Sequence, residues 1–355
     1  MSYEPSVAVH PGLTVARELD AIGETQKWLA DRTGLSEKQI SQIISGLAPI
    51  TAETAIKLEY ALGGSATFWV NLNSNYLVTK AQLEKRKKAE SEVDLLINIP
   101  YNELASLGWL TKTRDKVEKV IYLWLFFGVS SLEQIPLTNE VAFRQAKAKT
   151  INPYSLAAWL RKGELEAREL DLPEYSEKKL KEAIPRIRDI AFEMPTGFYN
   201  QLRGIMSEAG VGLIAVPNPK NTAVHGATRR IGRNPVIQMS LYGRNADKMW
   251  FSLFHEIGHV LLHGKRGQFI SLDEISNLPQ ELEADDFASE TLLPGRLYDE
   301  FAAKGDFSLA AIDEFSASVK VAPYIIIGRL EHKGAVPYSR YAKMHPKLQW
   351  QDEQD

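Results

Sequence analysis

Apolar and polar positions change their period along the chain. Over the first 76 residues apolar side chains recur at three- and four-residue spacings, the mark of amphipathic helices. "PGLTVARELDAIG" offers Leu13, Ala16, Leu19 and Ile22 with Gly23 as a stop, and "ETQKWLADRTG" offers Trp28, Leu29 and Thr33 before Gly34. Ser36 then caps "SEKQISQIISG", whose Ile40, Ile43 and Ile44 face inward and whose Gly46 ends the helix. "TAETAIKLEYALG" and "SATFWVNLNSNYLV" add two helices. A pair of helices joined by a tight glycine-containing turn, the second opening on short polar residues, is the helix-turn-helix pattern.

Residues 80–94 form a charged bridge with Lys80, Lys85, Arg86, Lys87 and Lys88. From about 95 to 192 the pattern is mostly helical, with breaks at Pro100, Pro136, Pro153 and Pro173 and no internal repeat. Near residue 210 the period shortens: "VGLIAVPN" and "NPVIQMSL" are apolar runs bounded by Gly, Pro and Asn, which predicts strands. A long apolar helix around "MWFSLFHEIGHVLLHG" follows, then a polar loop over 264–278. A helix introduced by Pro279, "QELEADDFASETLL", comes next, and the last fifty residues hold two helices and the polar tail "QWQDEQD".

Composition narrows this picture. A chain of 355 residues exceeds one ordinary core, and 44% hydrophobic with 25% charged residues is globular. The net charge of −3 gives no global attraction to nucleic acid or anionic membrane, so such binding has to come from a local patch. With no cysteine there are no disulfides, thiolate zinc sites or cysteine nucleophiles, and a cytoplasmic location is expected. "MSYEPSVAVH" lacks the pattern of a secretory signal, and "VIYLWLFFGV" (120–129) is about half a bilayer span, so it reads as a buried helix.

The candidate chemistry lies in "HEIGH". His255 and His259, four residues apart on a helix, point the same way one turn apart. That spacing lets two imidazoles share a tetrahedral zinc ion, with Glu256 beside the activated water as general base. The flanks Phe251, Leu253, Phe254, Ile257, Val260, Leu261 and Leu262 bury the helix. Two imidazoles and a carboxylate buried without partners would cost several kcal/mol, an objection that a metal removes.

A third ligand has to come from the acids of "QELEADDFASE". On that helix Ala284, Phe287, Ala288 and Leu292 define an inward face that includes Glu281, with Asp285 at its edge, while Glu283 and Asp286 fall away from it. Glu281 is the expected ligand and Asp285 the partner of a ligand histidine's free nitrogen, with Glu283 as the alternative ligand. His263 lies two turns (about 11 Å) from His255, too far to share the ion, and suits a helix end. His225, in "TAVHGATRR", reads either as a loop histidine or as an oxyanion-stabilising one.

"FHEIGHVLLH" followed by "ELEADDFASETLLP" resembles the ImmA/IrrE family of zinc-dependent metallopeptidases, over roughly residues 195–300. The resemblance implies zinc held by the histidines and a downstream glutamate, with the motif glutamate as base. Residues 10–76 resemble the XRE-type helix-turn-helix of HigA-like antitoxins. Proteins that pair these modules are implied to be regulators, the peptidase cutting a repressor or antitoxin. The expected architecture is multi-domain and mainly α: a helix-turn-helix domain (1–78), the bridge and helical middle (79–192), an α+β zincin-like metallopeptidase domain with a small sheet (193–310), and C-terminal helices with a polar tail (311–355). The alternative is a HigA-like antitoxin and repressor whose zinc domain binds a partner or ligand without proteolysis.

For DNA, "SEKQISQIIS" is the expected recognition helix, and the DNA-facing residues are Gln26, Ser36, Lys38, Gln39 and Gln42. Lys38, Gln39 and Gln42 reach base edges, and Gln26 approaches a phosphate. Residues 1–76 hold five Lys/Arg against eight Asp/Glu, so this module alone binds phosphate weakly. A homodimer reading two half-sites compensates, with the Trp69–Tyr76 helix offering a pairing surface.

Overall fold

The computed structural model describes residues 6–140, 151–220, 222–241, 243–264, 269–272 and 278–349. By contacts the chain divides into Met1–Asp94 with Arg114–Ile121, and Leu95–Thr113 with Tyr122–Asp355.

The first unit opens with α1 (Gly12–Ile22), α2 (Gln26–Thr33), α3 (Glu37–Ile44), α4 (Ala52–Leu62) and α5 (Ala66–Ser91). Sequence explains each boundary. Thr25, Ser36, Thr51 and Ser65 cap α2 to α5 by accepting backbone N–H groups, and Gly23 and Gly34 take the left-handed conformation that stops α1 and α2. The core is Val15, Leu19, Leu29, Ile40, Ile43, Ile50, Leu58 and Trp69. One expected face is corrected here: α1 buries Val15 and Leu19, one turn apart, whereas Leu13 and Ile22 stay half exposed. A helix in so small a bundle buries one narrow stripe. α5 runs unbroken from the bundle through Lys80, Lys85, Arg86, Lys87 and Lys88, so the charged bridge is largely helix.

α6 (Tyr101–Ser106) is followed by α7 (Lys116–Phe127), which buries Val120, Leu123, Trp124, Phe126 and Phe127. Lys116–Thr138 is long and apolar enough by composition to cross a membrane, but Gly128 at φ 68° ends α7 there. α8 (Ile135–Thr138) is one turn.

The second unit is built on a four-stranded sheet. β1 (Gly212–Ala215), β2 (Val224–Ile231), β3 (Asn234–Met239) and β4 (Phe269–Leu272) lie in the order β1-β3-β2-β4. β1 runs parallel to β3, while β2 is antiparallel to β3 and β4. β1 and β3 are the expected strands. β2 and β4 are corrections: His225 sits on a strand rather than a loop, and the polar loop 264–278 contains a strand at 269–272.

Both faces of the sheet are covered. α9 (Pro153–Arg168) packs Leu156, Trp159 and Leu160 onto Ile214, Val216, Val236 and Ile270. The alternate residues Leu213, Ile237 and Met239 join the opposite core with α10 (Glu177–Glu193), α11 (Phe198–Glu208) and α12 (Ala246–His263). Successive strand residues point to opposite faces, so an apolar run buried on both sides shows no polar alternation. Buried Gln238 fastens the first layer, donating to Trp159 O at 2.7 Å, and Gly163 permits it: a Cβ there would stand 1.9 Å from Gln238 Oε1.

α13 (Pro279–Leu292), α14 (Gly295–Ala302), α15 (Leu309–Val319) and α16 (Pro323–His332) complete the core. The segment just ahead of the expected tail is anchored at the start of α12, while the tail beyond Gln349 lies outside the described residues. Ala246 N–H donates to Pro346 O at 3.0 Å, and Leu348 N–H donates to Arg244 O at 2.8 Å. His345, which carried no sequence signal, bridges Asp247 and Glu331 at 3.0 Å each.

Candidate metal centre

α12 is buried through Leu253, Phe254, His255, Glu256, Ile257, Gly258, His259 and Val260. Small residues Ala284 and Ala288 let α13 lie close against it. The pairing brings Glu281, in the first turn of α13, to the two histidines. His255 Nε2 and His259 Nε2 are 3.0 Å apart, and Glu281 stands 3.2 Å from the first through Oε2 and 3.5 Å from the second through Oε1. Among the described residues, these three are the group able to hold a metal ion, their donor atoms lying within 4.8 Å of one another.

The donor set fits zinc. Bonds of about 2.0–2.1 Å in a tetrahedron set the ligand atoms about 3.3 Å apart, close to the separations here. The outer nitrogens are also engaged. His255 Nδ1 lies 2.8 Å from Asp285 Oδ1. His259 Nδ1 lies 3.1 Å from His263 Nδ1, whose Nε2 lies 2.9 Å from Glu283 Oε2. With protons donated outward along both chains, each Nε2 keeps its lone pair facing inward, and two lone pairs at this distance call for a cation between them. Counting protein atoms alone, burial opposes charge on His255, but the bonds to Asp285 and Glu281 outweigh it and raise its pKa to about 10. Burial likewise opposes charge on Glu281, yet the bonds from His255 and His259 pull it down to about 2.

Glu256 is fully buried, and its carboxylate meets the sheet. Thr228 of β2 donates to its Oε2 at 2.6 Å and Ser271 of β4 donates to its Oε1 at 2.5 Å. Gly226 leaves it room: a Cβ there would stand 2.6 Å from Oε1 and would push the carboxylate aside. Phe269 stacks on the His259 ring with centroids 4.2 Å apart.

The expected residues therefore divide. His255, His259, Glu281 and Asp285 come together, and Glu283 lies instead on His263, outside the three-donor group. Thr228, Ser271 and Phe269 had no sequence signal, since they lie on the two unpredicted strands. His263 had one: its four-residue spacing from His259 puts both on one face. His225 lies on β2 three residues before Thr228, its carbonyl accepting from Ser240 N–H at 2.9 Å.

In the first unit, Ser36 and Gln39 form a reciprocal cap. Ser36 Oγ accepts Gln39 N–H at 3.2 Å, and Gln39 Oε1 accepts Ser36 N–H at 2.9 Å. Gln39 thus spends its oxygen locally, leaving Lys38 and Gln42, one turn apart on α3, with Gln26 exposed at the start of α2.

The sequence comparisons match both parts of the chain. Residues 16–69 match the helix-turn-helix family, and residues 210–325 match the IrrE N-terminal-like domain, a peptidase family. The chain belongs to the XRE/HigA-type helix-turn-helix proteins by its N-terminal part and carries an ImmA/IrrE-type domain behind it. Virulence-associated protein I of Dichelobacter nodosus is 32% identical over 80 residues, 22% of this chain and 74% of that protein. Antitoxin HigA-1 of Vibrio cholerae is 41% identical over 54 residues, 15% of this chain and half (50%) of that one. A HigA-family addiction module antidote protein from Coxiella burnetii is 31% identical, covering 24% of this chain and 94% of that one, with a TM-score of 0.23.

Proposed function

We propose that the chain is a zinc-dependent endopeptidase tethered to an operator-binding domain, and that it regulates transcription or a toxin–antitoxin response by cutting a repressor-type protein. The observation that carries this reading is the triangle of His255 Nε2, His259 Nε2 and Glu281, spaced as tetrahedral edges beside a buried carboxylate. His255, His259 and Glu281 would hold the ion, which would supply a Lewis acid and an acidified water there, and Asp285 and His263 orient the two imidazoles. Glu256 takes the proton at a carboxylate oxygen as water attacks the peptide carbonyl and returns it to the leaving amine. Thr228 and Ser271 fix where that carboxylate stands.

The first 76 residues read the operator as a homodimer, with the basic stretch of α5 adding phosphate contacts, in the cytoplasm where the DNA is. In a gel shift on the chain's own promoter at fixed salt, Lys38→Ala and Gln42→Ala each cost about 1–3 kcal/mol of specific binding. Unchanged affinity in both would remove α3 as the recognition helix. The identity to an antitoxin favours a second reading, a HigA-like repressor whose zinc domain binds a partner without cutting it. The two separate when zinc-loaded protein is incubated with co-encoded repressor or antitoxin partners and new N-termini are sought by mass spectrometry. The peptidase reading expects a fragment that a chelator suppresses; an intact partner held in a stable complex supports the second.

A further inference from the structure

At the β2–β3 end of the sheet, the hairpin and the end of α9 line a cleft of about 910 Å³. Its lining holds four guanidinium groups, Arg168, Arg229, Arg230 and Arg233, and one carboxylate, Glu164. We infer that this cleft binds a small polyanion, a molecule carrying two or more linked phosphate groups.

The charge balance points there first. Glu164 is already shared, pairing with Arg161 at 2.9 Å as well as with Arg168. Arg229 donates only to neutral acceptors, Leu160 O and Gln238 Oε1, and its buried Nε has no partner. Arg230 likewise spends its donors on carbonyls, Gly264 O at 3.0 Å and Arg233 O at 2.6 Å. Arg233 is exposed and forms no ion pair among the described residues. Among the described residues none of these three forms an ion pair, and the lining's one carboxylate, Glu164, acts on Arg229 only from a distance while pairing with Arg161 and Arg168. Burial drives the pKa of Arg229 down to about 10, and the attraction of Glu164 does not offset it.

The lining also selects the ligand. Guanidinium forks match phosphate oxygens in pairs. Among the described residues no aromatic side chain lines the cleft, and its apolar part is aliphatic, which favours a ligand without a nucleobase. The volume is that of a small-molecule site, and recessed Arg229 is reached by a small ligand more readily than by a duplex. The site is separate from the metal centre: Thr228 meets Glu256 whereas Arg229 meets α9, Arg230 reaches only to Gly264 O past the end of α12, and no lining residue belongs to the three-donor group.

The test uses the full-length, zinc-loaded protein and inorganic tripolyphosphate, read by titration calorimetry, and does not depend on proteolysis. Wild type binds, and the Arg230→Gln/Arg233→Gln double variant, at exposed positions, binds at least about tenfold more weakly. Any heat from chelation of zinc is common to both proteins and cancels in the comparison. Changing Lys85, Lys87 and Lys88 to Gln leaves the affinity as it was. The inference is overturned by absence of binding to wild type, by equal binding in the double variant, or by loss of binding in the α5 variant instead. Binding of nucleic acid alone, lost in the double variant, also overturns it and makes the cleft a nucleic-acid surface.

Discussion

Replacing Glu256 with Gln lowers peptide cleavage by about 10²–10⁴-fold while the protein keeps its metal and its fold. Three features separate these effects. Glu256 belongs to no part of the three-donor group, so the ion keeps its ligands. Its carboxylate is held by the hydroxyls of Thr228 and Ser271, and a hydroxyl can donate to an amide oxygen or accept from an amide nitrogen, so the buried glutamine stays satisfied. Gln is also isosteric with Glu and fits against Gly226 as the native side chain does. What it lacks is a basic oxygen to take the proton. Cleavage rate, zinc content and melting temperature measured on one preparation check this, and a variant that cuts at the native rate removes the proposed mechanism.

The second large effect is graded metal loss. Glu281→Ala and His259→Ala leave two donors, too few to close the ion's coordination, and the zinc-dependent rise in melting temperature disappears in both. For wild type that rise reflects about 2.7 kcal/mol when free zinc is a hundred times Kd. Asp285→Asn keeps all three donors but weakens acceptance from His255 Nδ1, and metal affinity falls about 10–100-fold. Competition against a chromophoric chelator ranks the series. If Glu281→Ala holds zinc as tightly as wild type, the third donor is another carboxylate, with Glu283 the next to examine.

The centre was legible where it rests on helix periodicity. Four-residue spacing placed His255 beside His259, and the inward face of α13 selected Glu281 and Asp285 over Glu283. The same reasoning found the cap at Ser36 and the stops at Gly23 and Gly34. Strands carrying small or charged residues escaped it. β2 reads "VHGATRRI", where Gly226 and Ala227 are small because Glu256 and the α9 layer press on them, so no apolar alternation remains. β4 has four residues within a polar run, and its identity as a strand comes from pairing with β2, a contact distant in sequence. Thr228 and Ser271 were hidden with their strands. The role of α9 was illegible for a related reason: its apolar face matches a sheet written some fifty residues later, and nothing local announces that partner.

That order has a consequence for how the chain is made. A growing polypeptide releases its N-terminal segments first. α9 therefore leaves the ribosome before any strand it covers, and β1, β2 and β3 emerge onto a roof already waiting for one side of them. The other side is covered only in part, by α10 and α11, until α12 is out, and Glu281, the third donor of the candidate centre, arrives only with α13. Assembly thus finishes at the side of the candidate metal centre, so an incomplete nascent chain holds a sheltered sheet well before the three donors are together.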